Sequence, residues 1–229
     1  MFIDTHTHSS GASYCSHITI EDLIDFKIEL GYDGMILTNH VQPWYYKDRP
    51  FKAVIDDIKS DFERGLIHAE NKDFKLMLGA EISINLPRYA DILVYGDVPT
   101  FLEKHPDTCA LTQRELYAAC KENGMIMIQA HPKRAGFDFL KPSCLDGVEI
   151  NCQPNDLALR DIVTEFAKQN NLILSCGTDT HARDMKTRGG LIVPDDISTC
   201  ADYAKYLYAC TETHLKINDE EFVCATKNH

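Results

Sequence analysis

Residues 2–8 read Phe2-Ile3-Asp4-Thr5-His6-Thr7-His8. Phe2 and Ile3 begin an apolar, strand-forming run, and along an extended strand successive side chains alternate between faces. His6 and His8, at i and i+2, therefore project to the same side. Two imidazoles on one side of a strand end can reach a single divalent cation, and imidazole suits zinc, iron, copper and nickel. A hydrated turn with two incidental histidines would read the same way, so the rest of the chain must decide.

Outward from this stretch, one rhythm recurs: a short apolar run, a polar residue at its end, then a helical pattern. Thr19-Ile20-Glu21-Asp22 resembles a capping box, Leu23, Ile24, Phe26, Ile28 and Leu30 follow, and Gly31 is placed to end that helix. The run 34–38 leads into Asn39 and His40. A Trp44-Tyr45-Tyr46 loop and a helix over about 51–70 precede the run 74–80, which ends at Glu81. Further strands are predicted over 91–95, closed by Gly96, and over 125–130, ending at His131-Pro132. Another covers 147–150 before Asn151, and one over 172–176 leads into Gly177-Thr178-Asp179-Thr180-His181. Helices are predicted from 112 to about 123, stopped by Gly124, and from 157 to about 170.

These are seven strand–helix alternations, apolar enough to be covered on both faces, and they predict a parallel sheet. The C-terminal ends of the strands carry His6, His8, His40, Glu81, His131, Asp179 and His181. In α/β barrels that end holds the active site. Beyond Pro194 a last helix over 201–210 and a short edge strand over 213–217 are expected. No composition shift marks a second domain. Residues 1–229 thus read as one domain, with a core over about 2–193 and a C-terminal helix and edge segment over 194–229.

The chain has 229 residues, of which 44% are hydrophobic, enough to bury a sizeable core. No run of 18 or more apolar residues predicts a membrane span, and no charged-then-apolar leader predicts secretion. The nine cysteines are odd in number and scattered without a Cys-x-x-Cys pair, so they read as reduced cytoplasmic thiols. A formal net charge of −12 disfavours duplex nucleic acid as a partner. It leaves room for a small phosphorylated substrate, because bound cations reverse the local field. The oligomeric state is not legible.

His6-Thr7-His8, Thr38-Asn39-His40, Gly79-Ala80-Glu81, Ala130-His131-Pro132 and Gly177-Thr178-Asp179-Thr180-His181 together resemble the motifs of the PHP (polymerase and histidinol phosphatase) family. The resemblance covers residues 2 to about 190 in order. It implies a distorted (β/α)7 TIM-like barrel with two or three divalent metal ions at the strand C-termini. The activity it implies is hydrolysis of phosphoesters by a metal-activated water. Carried over residue by residue, His6, His8, Glu81 and Asp179 would surround a first metal. Glu81 would bridge to a second, shared with His131, while His40 and His181 would hold a third. Glu81 and Asp179 would act catalytically through that water. The metal would be zinc, manganese or iron.

Three positions depart from the family pattern. Asn39 stands where the second motif usually has Asp, and Cys15 falls near a customary Asp. Val94-Tyr95-Gly96-Asp97 stands where a histidine is usual. His17 is an alternative ligand for the third metal, or else an exposed residue ahead of a helix cap, and Asp97 is a substitute for the missing histidine. For the substrate, Lys133 and Arg134 follow His131 directly, and the planar fork of Arg134 suits phosphate. Arg183 and Arg188 are further candidates. Trp44, Tyr45 and Tyr46 would wall a pocket or pack on the rim. His68, His105, His214 and His229 read as incidental. The alternatives to a small-molecule phosphoesterase are a TatD-like deoxyribonuclease, an amidohydrolase, or a non-catalytic metal-binding barrel.

Overall fold

The computed structural model describes residues 1–85, 87 and 89–225. Strand β1 (Phe2–Thr7) is buried along its whole length. Helix α1 (Ile20–Glu29) starts at Thr19, whose hydroxyl accepts the Asp22 amide at 3.2 Å. It stops ahead of Gly31, at φ 78°, where the lack of a Cβ removes the steric penalty. β2 (Gly34–Leu37) continues past a break into β3 (His40–Val41), and α2 (Phe51–Ala69) follows. β4 (Lys75–Leu78) and β5 (Ala80–Ile84) are likewise one run interrupted at Gly79. Then come β6 (Ala90–Tyr95), α3 (Val98–Lys104) and α4 (Gln113–Glu122), the last opened by a complete capping box between Thr112 and Glu115. β7 (Ile126–Gln129), β8 (Gly147–Asn151), α5 (Pro154–Leu157), α6 (Arg160–Gln169) and β9 (Ile173–Gly177) lead to the tail. The tail contains β10 (Gly189–Ile192), α7 (Cys200–Ala209), β11 (Glu212–Ile217) and β12 (Glu220–Ala225).

The architecture is mixed α/β: among the described residues seven helices accompany two six-stranded sheets, ordered β12-β11-β10-β1-β2-β4 and β3-β5-β6-β7-β8-β9. Alternation along β2 explains why its residues are all apolar. Met35 and Leu37 pack on α1 residues Ile20, Leu23 and Ile24, whereas Ile36 joins the larger core with Met77 and Val94. Each fully buried aliphatic side chain contributes about 1.5–3 kcal/mol. No described helix is long and apolar enough to cross a membrane.

The expectation of a purely parallel sheet is corrected. β6 runs antiparallel to both β5 and β7. Only residues 85–89 separate β5 from β6, whereas a parallel return needs a crossover of about a dozen residues or more. This reversal places Asp91, at the start of β6, beside Ser83 near the ligand-bearing end. It sends Tyr95, Gly96 and Asp97 to the opposite end. The tail differs as well: β11, expected as an edge strand, is flanked by β10 and β12. Neither neighbour, nor α3, was apparent from the sequence.

Candidate metal centre

Three overlapping groups of ligand atoms lie within 4.8 Å of one another: His6, His8, Glu81 and Asp179; Glu81, Asp91 and His131; and His8, His40 and His181. Glu81 belongs to the first two and His8 to the first and third. The strand alternation that points His6 and His8 the same way brings their Nε2 atoms to 2.9 Å. His8 Nε2 is 3.3 Å from Glu81 Oε2 and 3.1 Å from Asp179 Oδ1. Glu81 Oε1 lies 2.9 Å from His131 Nε2, and Oε2 lies 2.8 Å from His40 Nδ1.

Two of these oxygens, Glu81 Oε2 and Asp179 Oδ1, are buried and accept no hydrogen bond of good geometry, although imidazole nitrogens lie 2.8 and 3.1 Å away. Leaving such acceptors unmatched costs free energy, and a divalent cation among them would supply the missing partner. The donor set, imidazole with carboxylate, suits that role. The backbone is constrained here as well: His131 sits at φ 26° and Asp179 at φ 56°. Non-glycine residues in such conformations concentrate at functional sites.

The carboxylates and imidazoles shift one another's charge. Burial pushes the Glu81 carboxyl up, but the imidazoles of His40, His6 and His131 outweigh it and hold it well below the usual carboxylate range. Asp179 is likewise held well down, with His6, His8 and Arg134 overcoming burial. Burial and the neighbouring His40 and His181 push His8 well below its ordinary value, leaving a neutral ring suited to ligation. At Cys15 the imidazoles of His181 and His40 overcome burial and bring the thiol down to about 6.

A second layer fixes these groups. His6 Nδ1 donates to Glu149 Oε1 at 2.8 Å, which leaves Nε2 free for a cation. The other Glu149 oxygen accepts from the His131 amide at 2.9 Å and from Asn151 Nδ2 at 3.1 Å. Glu149→Gln should therefore weaken metal binding about 10- to 100-fold with the fold intact, a change that metal titration against circular dichroism would read. Beneath the site the fully buried Lys27 Nζ donates to Asp4 Oδ2 at 2.5 Å, to Thr178 Oγ1 at 3.0 Å and to Thr180 Oγ1 at 2.8 Å. Asp4 Oδ1 accepts the His6 and Thr178 amides, each at 3.1 Å. Gly177 allows the close approach: a Cβ there would lie 2.5 Å from His6 Cβ.

No protein-family model matches the chain, and no curated protein matches it. Solved structures do. PsfC from Pseudomonas syringae is 16% identical with a TM-score of 0.62, over 98% of this chain and 91% of that one. A two-domain Bacteroides vulgatus protein containing a predicted PHP-like metal-dependent phosphoesterase is 16% identical with a TM-score of 0.55, over 99% of this chain and 65% of that one. The chain shares the fold of PHP-like phosphoesterases. The lesion-specific endonuclease EndoQ from Pyrococcus furiosus is 14% identical with a TM-score of 0.61, over 94% of this chain and 57% of that one. Since an endonuclease has this fold, the net charge of −12 is not a sufficient reason to set nucleic acid aside.

Within this PHP-like fold, the residues expected at the site separate into two sets. His6, His8, His40, Glu81, His131, Asp179 and His181 are brought together. His17 is not: its ring is exposed and outside all three groups, while its amide donates to His181 O at 2.8 Å. Asp97 caps α3, accepting the Thr100 amide, and the carboxylate that joins Glu81 beside His131 is Asp91, with Oδ2 3.9 Å from Nε2. Lys133 pairs with Asp138 at 3.0 Å, Arg183 with Glu29 at 2.6 Å and Arg188 with Asp219 at 2.5 Å, so none of these three cations points into the groups.

Arg134 does reach the centre, between Asp179 Oδ2 at 2.7 Å and Asp156 Oδ2 at 2.7 Å from Nε. The Asn39 side chain bonds to groups other than the His40 ring. It accepts from the Ser9 amide and the Ser13 hydroxyl, both at 2.9 Å, and donates to Asp61 at 3.0 Å. Trp44 is half exposed and lies nearly parallel to Tyr89 at 6.1 Å. Tyr45 is buried against Tyr14, and Tyr46 packs edge-on against Phe51. His68 and His214 pair with Asp25 and Glu212, and His105 ends α3. His229 lies outside the described residues.

Proposed function

We propose that the chain is a metal-dependent phosphoesterase acting on a small phosphorylated molecule. The observation that carries this reading is the convergence of two buried carboxylate oxygens, Glu81 Oε2 and Asp179 Oδ1, with His6 and His8. Two or three divalent ions of zinc, manganese or iron would be held by the three overlapping groups. Bound there, they would supply Lewis acidity and activate a water for attack near neutral pH. Glu81 and Asp179 would set the charge of the centre, and Glu149 would keep the His6 ring in one tautomer.

A groove of about 640 Å³ beside Asp179 and His181 is lined by Arg134, Gln153, Asn155 and Met185 and would receive the substrate. Arg134, which lines this groove while its guanidinium pairs with Asp179 and Asp156, would turn an N–H to a phosphoryl oxygen. Lys133 and Arg183 drop out of that role, being paired elsewhere. A distorted seven-stranded barrel forming a single domain belongs to the same proposal. It is supported by hydrogen bonds that join the chain after β9 to β1: Asp179 N to His6 O at 2.8 Å and His8 N to Thr180 O at 3.0 Å. The nine free cysteines fit a cytoplasmic setting.

Turnover of a panel of phosphomonoesters and diesters, run with zinc, manganese and iron, tests this reading. Hydrolysis that chelation abolishes is expected. A metal-loaded protein that leaves the whole panel untouched would overturn it. On the best substrate, Arg134→Ala should lower kcat/KM about 10- to 100-fold, since one charge-assisted hydrogen bond contributes roughly 1.5–3 kcal/mol. It should also loosen metal binding, because Asp179 Oδ2 loses its partner. Arg134→Lys should recover only part of both losses.

A further inference from the structure

We propose that Asp61 is a positioning residue of the metal centre: through Asn39 and Ser13 it keeps the ring proton of His8 on Nδ1 and so turns the Nε2 lone pair toward the cation. Asp61 would thus serve the metal-dependent reading above, on which the proposal rests.

Asp61 lies on the buried stripe of α2, with Ile58 and Gly65 about one turn to either side, and is only 2% exposed. A carboxylate in that position calls for partners. Its Oδ2 accepts from the Ser9 hydroxyl and, at 3.0 Å, from Asn39 Nδ2. Gly11 leaves room for it: a Cβ there would lie 1.9 Å from Asp61 Oδ1. Arg64 is 3.5 Å from that same oxygen, while its guanidinium is engaged with Glu21 at 2.7 Å.

From here the direction of each proton follows in turn. The Ser9 amide can only donate, and it donates to Asn39 Oδ1 at 2.9 Å, so the Nδ2 end of that side chain faces Asp61. The Ser13 hydroxyl lies 2.9 Å from the same Oδ1, which has no hydrogen, so Ser13 donates there. Its oxygen then has only lone pairs to offer. One accepts the His40 amide at 3.0 Å, and the other faces His8 Nδ1 at 3.3 Å. Nδ1 must therefore carry the proton of a neutral His8 ring. Nε2 is left with its lone pair, 3.3 Å from Glu81 Oε2 and 3.1 Å from Asp179 Oδ1, within the first ligand group. Glu149 does the same for His6 by direct contact at 2.8 Å; Asp61 does it through two neutral side chains. This also accounts for Asn39. A carboxylate at position 39 would oppose that of Asp61 across 3.0 Å and bring no proton, so with the charge on α2 an amide is needed there.

Three variants of the full-length protein test this: Asp61→Ala, Asn39→Asp, and the exchange that combines Asn39→Asp with Asp61→Asn. Zinc affinity, measured by competition with a chelating dye, should fall about 10- to 100-fold in the first two. The exchange should recover most of that loss, since it restores one charge and one amide. Nitrogen-15 NMR of metal-free protein should show His8 as the Nδ1–H tautomer in wild type and in the exchange, and no longer as that single tautomer in Asp61→Ala. A contact that only holds the fold together would move the thermal midpoint without moving the tautomer. Wild-type zinc affinity in Asp61→Ala, an exchange variant as weak as Asn39→Asp, or an Nε2–H ring at His8 in wild type would each overturn the role of Asp61. If Asp61→Ala does not fold, the exchange variant and the wild-type tautomer decide. Zinc bound without phosphoester turnover would overturn the proposed activity and leave Asp61 in place, whereas a wild type that binds no divalent ion would overturn both.

Discussion

Replacing Glu81 with alanine should empty two groups of ligands at once. Its two oxygens face different partners, Oε1 toward His131 and Oε2 toward His40 and His8, so it is the carboxylate common to two groups. Loss of a supporting partner alone costs about 10- to 100-fold in metal affinity or activity. Loss of a ligand common to two groups should exceed about a hundredfold, with bound metal falling in step with turnover. His40→Ala should act mainly on the outermost group. Metal counting on both variants, with turnover on the same samples, distinguishes the two. Full metal content in Glu81→Ala would show that the carboxylate does not bridge.

Lys27→Met should produce the largest loss of stability. Lys27 and Asp4 are both fully buried, and removal of one partner strands the other charge, a cost of about 3–5 kcal/mol. For a chain of this size that lowers the thermal midpoint by roughly 6–20 °C. The effect should also reach metal binding, because Asp4 ties the His6 amide to the Thr178 amide and Lys27 ties Thr178 to Thr180. Adding Asp4→Asn removes the stranded charge while keeping an acceptor for both amides. The double variant should therefore recover much of the lost stability. Calorimetry of the two variants would read this, and a midpoint within a degree or two of wild type for Lys27→Met would show that the pair is not holding the site.

The ligands at or beyond the ends of β1, β4 and β9 were legible because each follows an apolar run directly, and strand alternation sets the direction of His6 and His8. The direction of β6 was not, since an apolar run reads the same forwards and backwards. The short span after Ile84 was the signal that the chain returns antiparallel, and with it Asp91 would have replaced Asp97 as the candidate. Glu149 and Lys27 were also within reach. One is a carboxylate in the buried strand β8, and the other lies on the apolar stripe of α1 that includes Leu23 and Ile24. Buried charges are paired, so each called for a partner. The partner of Arg134 could not be read in advance, because Asp156 comes from a short helix whose placement depends on the assembled fold. The tail strands β10 to β12 were obscure for another reason: exposed positions such as His214 interrupt their apolar pattern.

The central claim is a divalent-metal centre built on His6, His8, Glu81 and Asp179. Elemental analysis of the full-length protein, purified without chelator and then dialysed with added zinc or manganese, tests it most directly. At least two divalent ions per chain are predicted. Less than one ion per chain, with no gain when metal is added, would contradict the account.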